Sequence, residues 1–184
     1  MSTPQIPDPA LLIVSVLASQ WQGFKPQLLD DLQARFGPLL YCSQAILFNQ
    51  TNYYNQELGT PLFKRFLGFK QLVAQDSLVD IKLGTNTLEK EYSRADGRRV
   101  FNLDPGLVNS ERLVLATGKN YTHRIYLNRG IWADLTLIFQ KGQWQALPWT
   151  FPDYAGQEIQ KELLHLRREY KKLLQARHEI QDTG

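Results

Sequence analysis

Residues 101–136 read FNLDPGLVNSERLVLATGKNYTHRIYLNRGIWADLT, and the fold follows from how they are divided. Apolar strand patterns alternate with turns, and Asp104, Lys119, His123, Arg124 and Asp134 gather around them. Asn128-Arg129-Gly130 separates two β-prone runs, HRIYL and IWADLTLIF. A three-residue hairpin loop needs a left-handed residue at its third position, which Gly adopts without steric cost. That loop sets Leu127 opposite Ile131, Ile125 opposite Ala133 and Arg124 opposite Asp134. One face then carries His123, Ile125, Leu127, Ile131, Ala133, Leu135 and Leu137; the other carries Arg124, Tyr126, Trp132, Asp134 and Thr136. A two-residue loop would slide the register by one and bury Asp134 beside Ile125 and Leu127, at a cost in free energy.

Working outward, Arg112–Thr117 (RLVLAT) reads as a buried strand and Arg99–Leu103 as another. The latter feeds Asp104-Pro105-Gly106, which suits a type II turn. Lys141-Gly142 turns the chain into a last strand, Gln143–Leu147, and the two prolines of PWTFPDY (148–154) argue against regular structure there. From Gln157 to about residue 180, Ile159, Leu163, Leu166, Tyr170 and Leu173 mark a long amphipathic helix. Its charges read as a solvated face, so a monomer is expected, with a dimer through this helix as the other reading.

Toward the N-terminus, residues 1–9 read as a flexible arm and Leu11–Ala18 as a buried strand. Pro26 opens a helix ended by Gly37-Pro38, and LLYCSQAILF (39–48) reads as a second strand. Strand, helix, strand favours a parallel pair with a right-handed crossover. NQTNYYNQELG (49–59) reads as a functional loop or a short strand, with a surface turn as the bland alternative. Leu62–Val73 has the apolar spacing of a helix, and Leu78–Leu83 reads as a short strand. Asn86 and Glu89 fit a capping box for a helix reaching about Ala95. The expectation is a single α+β domain over 1–184, with a mixed, largely antiparallel sheet and a long C-terminal helix.

Composition narrows the function. With 43% hydrophobic and 21% charged residues, the chain is not globally disordered. Its net charge is +3, with twelve Lys or Arg against seven Asp or Glu in residues 61–130. That suits a small anionic ligand but falls short of the basic stripe of a nucleic-acid binder. One cysteine, Cys42, excludes an internal disulfide and a Cys-based zinc site. ALLIVSVLAS (10–19) is too short to span a bilayer, and no basic segment precedes it, so the expected address is cytoplasmic, without membrane contact.

TNTLE (85–89), FNLDPG (101–106), LVLATGK (113–119), HRIYL (123–127), GIWADLTL (130–137) and PWTFPDY (148–154) resemble, in this order, a bacterial family known as domain of unknown function 4416. NYYNQELG (52–59) resembles its earlier tyrosine-pair motif. The resemblance implies a single-domain bacterial protein and brings no activity, cofactor or catalytic residue.

The residues themselves exclude several chemistries. LVLATGKN is not a P-loop, because Leu113 stands at the first Gly and Asn120 at the hydroxyl. No Gly-x-Ser-x-Gly elbow, His-Glu-x-x-His or dinucleotide fingerprint occurs, and the residues leave any cofactor unknown. Candidate acid–base groups are Asp104, His123 and Asp134, with His123 the plausible catalytic imidazole. Candidate ligand-binding residues are Lys119, Arg124, Tyr126, Trp132 and Tyr54, since rings beside a guanidinium can stack a planar group and fix its charge. The bland alternatives are a core His, a cross-strand ion pair, a solvated Lys and a turn-forming Asp. Two functions remain: binding of, or action on, a nucleotide or phosphorylated metabolite, and a non-catalytic adaptor contacting another protein through its aromatic loops.

Overall fold

A computed structural model describes residues 2–182 and puts β1 (Ala10–Ala18) at the centre. All of β1 is buried, because β4 (Leu62–Val73) pairs with one edge and β5 (Asn102–Val108) with the other. With β2 (Leu39–Cys42), β6 (Arg112–Thr117), β7 (Arg124–Asn128) and β8 (Ile131–Gln140), the order is β2-β4-β1-β5-β6-β8-β7. Two short strands complete the nine-stranded sheet: β3 (Ile46–Phe48) beside β4, and β9 (Gln143–Ala146) beside β8. The fold is therefore α+β around one largely antiparallel sheet. Residues 2–9 carry no regular structure, though the Asp8 carbonyl accepts a hydrogen bond from Gln75 and its carboxylate meets His178.

Helices cover both faces. On one, α1 (Lys25–Phe36) and α3 (Leu78–Glu91) pack Leu28, Leu32, Ile81 and Leu88 against Leu12, Val14 and Val16 of β1. On the other, α5 (Gln157–Asp182) packs Leu163, Leu166 and Tyr170 against Leu11, Ile13 and Phe66. The helix sits directly on bare backbone at Gly68, where an added Cβ would come within 2.6 Å of Leu166 Cδ2.

Five local expectations are overturned. Leu62–Val73 is a strand: helices cover both of its faces, so its two parities are both apolar and imitate a helical stripe. Leu78–Leu83 is the first half of α3, and Asn86 lies inside that helix with Glu89 buried, so no capping box forms. The parallel pair does not form, because β4 lies between β1 and β2 and pairs antiparallel with both. Asp104-Pro105-Gly106 is not a turn but the middle of β5. Pro105 is tolerated because β6 pairs only with Gly106, Leu107 and Val108, which spares Pro105 the need for an N–H on that side.

Beyond those three pairs, β5 and β6 separate, and α3 takes the place of a strand. Glu89 Oε1 accepts the Leu103 N–H at 2.5 Å, and Lys82 Nζ donates to the Leu103 carbonyl at 2.9 Å. Both buried backbone groups are thus satisfied by charged side chains.

Candidate functional site

The hairpin has the expected central register: Arg124 faces Asp134, Ile125 faces Ala133 and Tyr126 faces Trp132. Its turn differs. Only Arg129 and Gly130 lie between the strands, with φ of 47° and 77°, and Asn128 faces Ile131. Positive φ at both central residues suits a two-residue hairpin turn. A bulge between Tyr126 and Asn128 absorbs the extra residue, so the ion pair stays aligned.

Asp134 lies on the polar-aromatic face as expected, clear of Ile125 and Leu127, yet it is only 3% exposed. Its charge is met from three sides. Arg124 Nε donates to Oδ2 at 2.9 Å, His123 Nε2 lies 3.2 Å from the same oxygen, and Thr136 Oγ1 lies 3.3 Å from Oδ1. His123 was expected on the face of Ile125 and does not lie there. It precedes β7 in a turn closed by the Arg124 N–H to the Tyr121 carbonyl, so strand alternation does not govern it. Its ring stacks on Trp149 at 5.2 Å and 10°, leaving Nδ1 buried without a protein partner. Conversely, Ile125 (69%) and Leu127 (41%) are exposed, because β7 is the sheet edge and its apolar side is uncovered.

Arg124 also donates through Nη1 to the Lys119 carbonyl at 3.0 Å, which ties the 118–122 loop to the hairpin. The Lys119 ammonium then lies 4.8 Å from the centre of the Tyr53 ring and 3.3 Å from its hydroxyl. Tyr53 in turn meets Tyr54 edge to face at 4.9 Å. Burial, and next the nearby Asp104 carboxylate, push the Tyr54 hydroxyl up to about 12. Tyr126 and Trp132 form a separate edge-to-face pair at 5.1 Å.

Asp104 shares the α5-side sheet face with Ser15, its partner on β1, but makes no contact with the Asp134 group. It belongs to a second network. Asn102 Nδ2 donates to Asp104 Oδ2 at 2.6 Å, and Lys82 approaches Oδ1 at 3.4 Å. Arg99 donates to Asn102 Oδ1 at 2.7 Å, to Glu89 at 3.2 Å and, through two N–H groups at 2.7 Å each, to Glu57. Glu57 lies on the single-turn helix α2 (Asn55–Leu58), directly after the tyrosine pair. Bonding to Arg99 holds the Glu57 carboxyl below its usual range, while burial raises that of Glu89. Glu57, Lys82, Arg99 and Asn102 carry no signal in the sequence, and Glu89 reads there only as a capping residue, since no local spacing marks partners such as Arg99 and Glu57, 42 residues apart.

A buried ion pair, Lys64 with Asp153, adds a further tie. Asp153 belongs to the short helix α4 (Pro152–Ala155), a single turn where the two prolines argued against regular structure; Pro152 fits because it opens the turn. Lys64 also lies over the rings of Phe48 and Tyr154. Beside the pair is a cavity of about 260 Å³ lined by Ile46, Phe48, Gln50 and the first turn of α5.

The family model for a domain of unknown function, DUF4416, matches residues 8–170. The chain belongs to the DUF4416 family. No curated protein and no solved structure matches this DUF4416 chain significantly. Among the described residues, no cluster of His, Cys, Asp and Glu is arranged to hold a metal ion, and no helix is long and apolar enough to cross a membrane. The Asp134 group is an oriented carboxylate–imidazole pair whose ring is shielded by Trp149. The Tyr53–Lys119 junction is an exposed cation held against one exposed aromatic ring.

Proposed function

We propose that this protein, as a cytoplasmic monomer of bacterial origin, binds a small anionic ligand with a planar ring, in the class of nucleotides and phosphorylated metabolites. The observation that carries this reading is the Lys119 ammonium, exposed and held over Tyr53 by a loop that Arg124 fastens to Asp134. Lys119 would meet the anion, and Tyr53 and Tyr121, both largely exposed, offer ring faces for stacking. Tyr54 and Asp104 would line the inner side. The Arg124 guanidinium already serves Asp134 and the Lys119 carbonyl, so its part is to place Lys119 rather than to take the charge itself. His123 and Asp134 would supply a proton acceptor if the ligand is transformed.

A thermal-shift screen of nucleotides and phosphorylated metabolites tests the reading. A ligand at one hundred times its dissociation constant adds about 2.7 kcal/mol, and Lys119→Ala should abolish the shift. Guanine-specific, magnesium-dependent binding is not expected. The exposed rings of Tyr53, Tyr121, Trp149 and Phe151 favour a second reading, a protein-docking adaptor. No shift with any such compound would leave that one standing.

A further inference from the structure

We infer that Arg99 is the positioning residue that assembles this site, by holding the Tyr53–Tyr54 loop and Asp104 in one frame. The inference rests on the ligand reading above. Four residues of α2 cannot form a stable helix alone, so the loop takes its place from its ties. Tyr54 and Glu57 move together, because the Tyr54 carbonyl accepts the N–H groups of Glu57 and Leu58 at 3.2 and 2.8 Å. Other hydrogen bonds from distant segments to α2 reach its backbone: Arg94 the Glu57 carbonyl, Arg98 the Gln56 carbonyl, Ser19 the Leu58 carbonyl; apolar ties add to them, with Leu58 buried beside Leu17 and Leu62 and the Tyr54 ring packed on Phe48. Among the described residues, Arg99 is the one that bonds a side chain of α2 and also reaches β5, through Asn102 to the Asp104 carboxylate. Four of its five N–H groups are engaged: Nε and one of Nη2 go to Glu57, and those of Nη1 go to Asn102 and Glu89. Mutual pairing keeps Arg99 and Glu57 charged at neutral pH. A lysine at 99 would keep the charge but not the planar fork that meets three partners at once.

The test compares the wild-type full chain with Arg99→Lys, Glu57→Gln and Lys119→Ala. Amide exchange over residues 52–58 and over β1 is measured, with titrations of adenosine monophosphate, ribose 5-phosphate and inorganic phosphate. Arg99→Lys should speed exchange over 52–58 at least tenfold with β1 protection unchanged, and weaken binding of the best probe at least tenfold. Lys119→Ala should weaken binding equally without altering exchange. Glu57→Gln should loosen the same segment, and it decides the matter should Arg99→Lys fail to fold. Unchanged exchange over 52–58 in a folded Arg99→Lys or Glu57→Gln protein overturns the inference. So does a loosened loop with undiminished binding, which would separate the tie from the site. Failure of the wild type to bind any of the three probes overturns the ligand reading, and the exchange data then still judge the tie.

Discussion

Arg124 and Asp134 face each other with Nε and Oδ2 2.9 Å apart, across a hairpin whose two-residue turn would by itself have set them out of step. The bulge at Leu127 restores the match, and the pair is then closed off from water, with the side chains 11% and 4% exposed. Removing one partner from such a pair strands the other charge. Arg124→Gln should lower the unfolding free energy by about 3 kcal/mol, measured by urea denaturation. A loss below about 1 kcal/mol would mean that the pair behaves as a surface bridge.

Gly106 is required by its neighbours rather than by a turn. An added Cβ would stand 2.6 Å from Leu115 Cδ2 and 2.9 Å from the Val114 carbonyl oxygen, so β5 and β6 would have to part. Gly106→Ala should cost about 1–3 kcal/mol. Gly118→Ala, where no atom lies within 4 Å of the added Cβ, should cost far less in the same thermal-melt series.

Leu166 is fully buried against the sheet of its own chain. Leu166→Ala should therefore destabilise the protein by about 2–5 kcal/mol. Light scattering combined with urea melts should find a less stable particle of unchanged mass. A dimer that this substitution splits into folded halves would show that α5 serves association instead.

Glu57 supplies a pH dependence of known sign. Its folded carboxyl titrates below the ordinary value of 4.5 because Arg99 bonds the charged form. The stabilisation is therefore complete above about pH 4.5 and is lost as pH falls through the lower folded value. Glu57→Gln should flatten this acid limb when melting temperature is followed from pH 6 to pH 3. An equally steep limb in the variant would assign it to other carboxylates.

What could be read in advance was whatever repeats at short range. Strand β1, helices α1 and α5, strand β6 and the Arg124–Asp134 register all follow from period and local stop signals. β4 was misread because burial on both sides removes the alternation that marks a strand. In α3, Gly84 and its polar neighbours hid a helix whose buried side includes Lys82, Thr85 and Glu89. The site divides in the same way. Arg124, Asp134 and their rings share one hairpin and were visible together; Arg99 and Glu57 meet only through the fold. The burial of Asp134 was missed because His123 meets its carboxylate from outside the strand and is itself capped by Trp149, from another segment.

The narrow junction between β5 and β6 divides the sheet into two panels joined by three residue pairs. Tyr53 and Asp104 ride on the panel built around β1, Lys119 and His123 on the panel built around β8. The Lys119–Tyr53 contact, 3.3 Å between Nζ and hydroxyl, therefore ties the two panels together across the gap that the short β5–β6 pairing leaves.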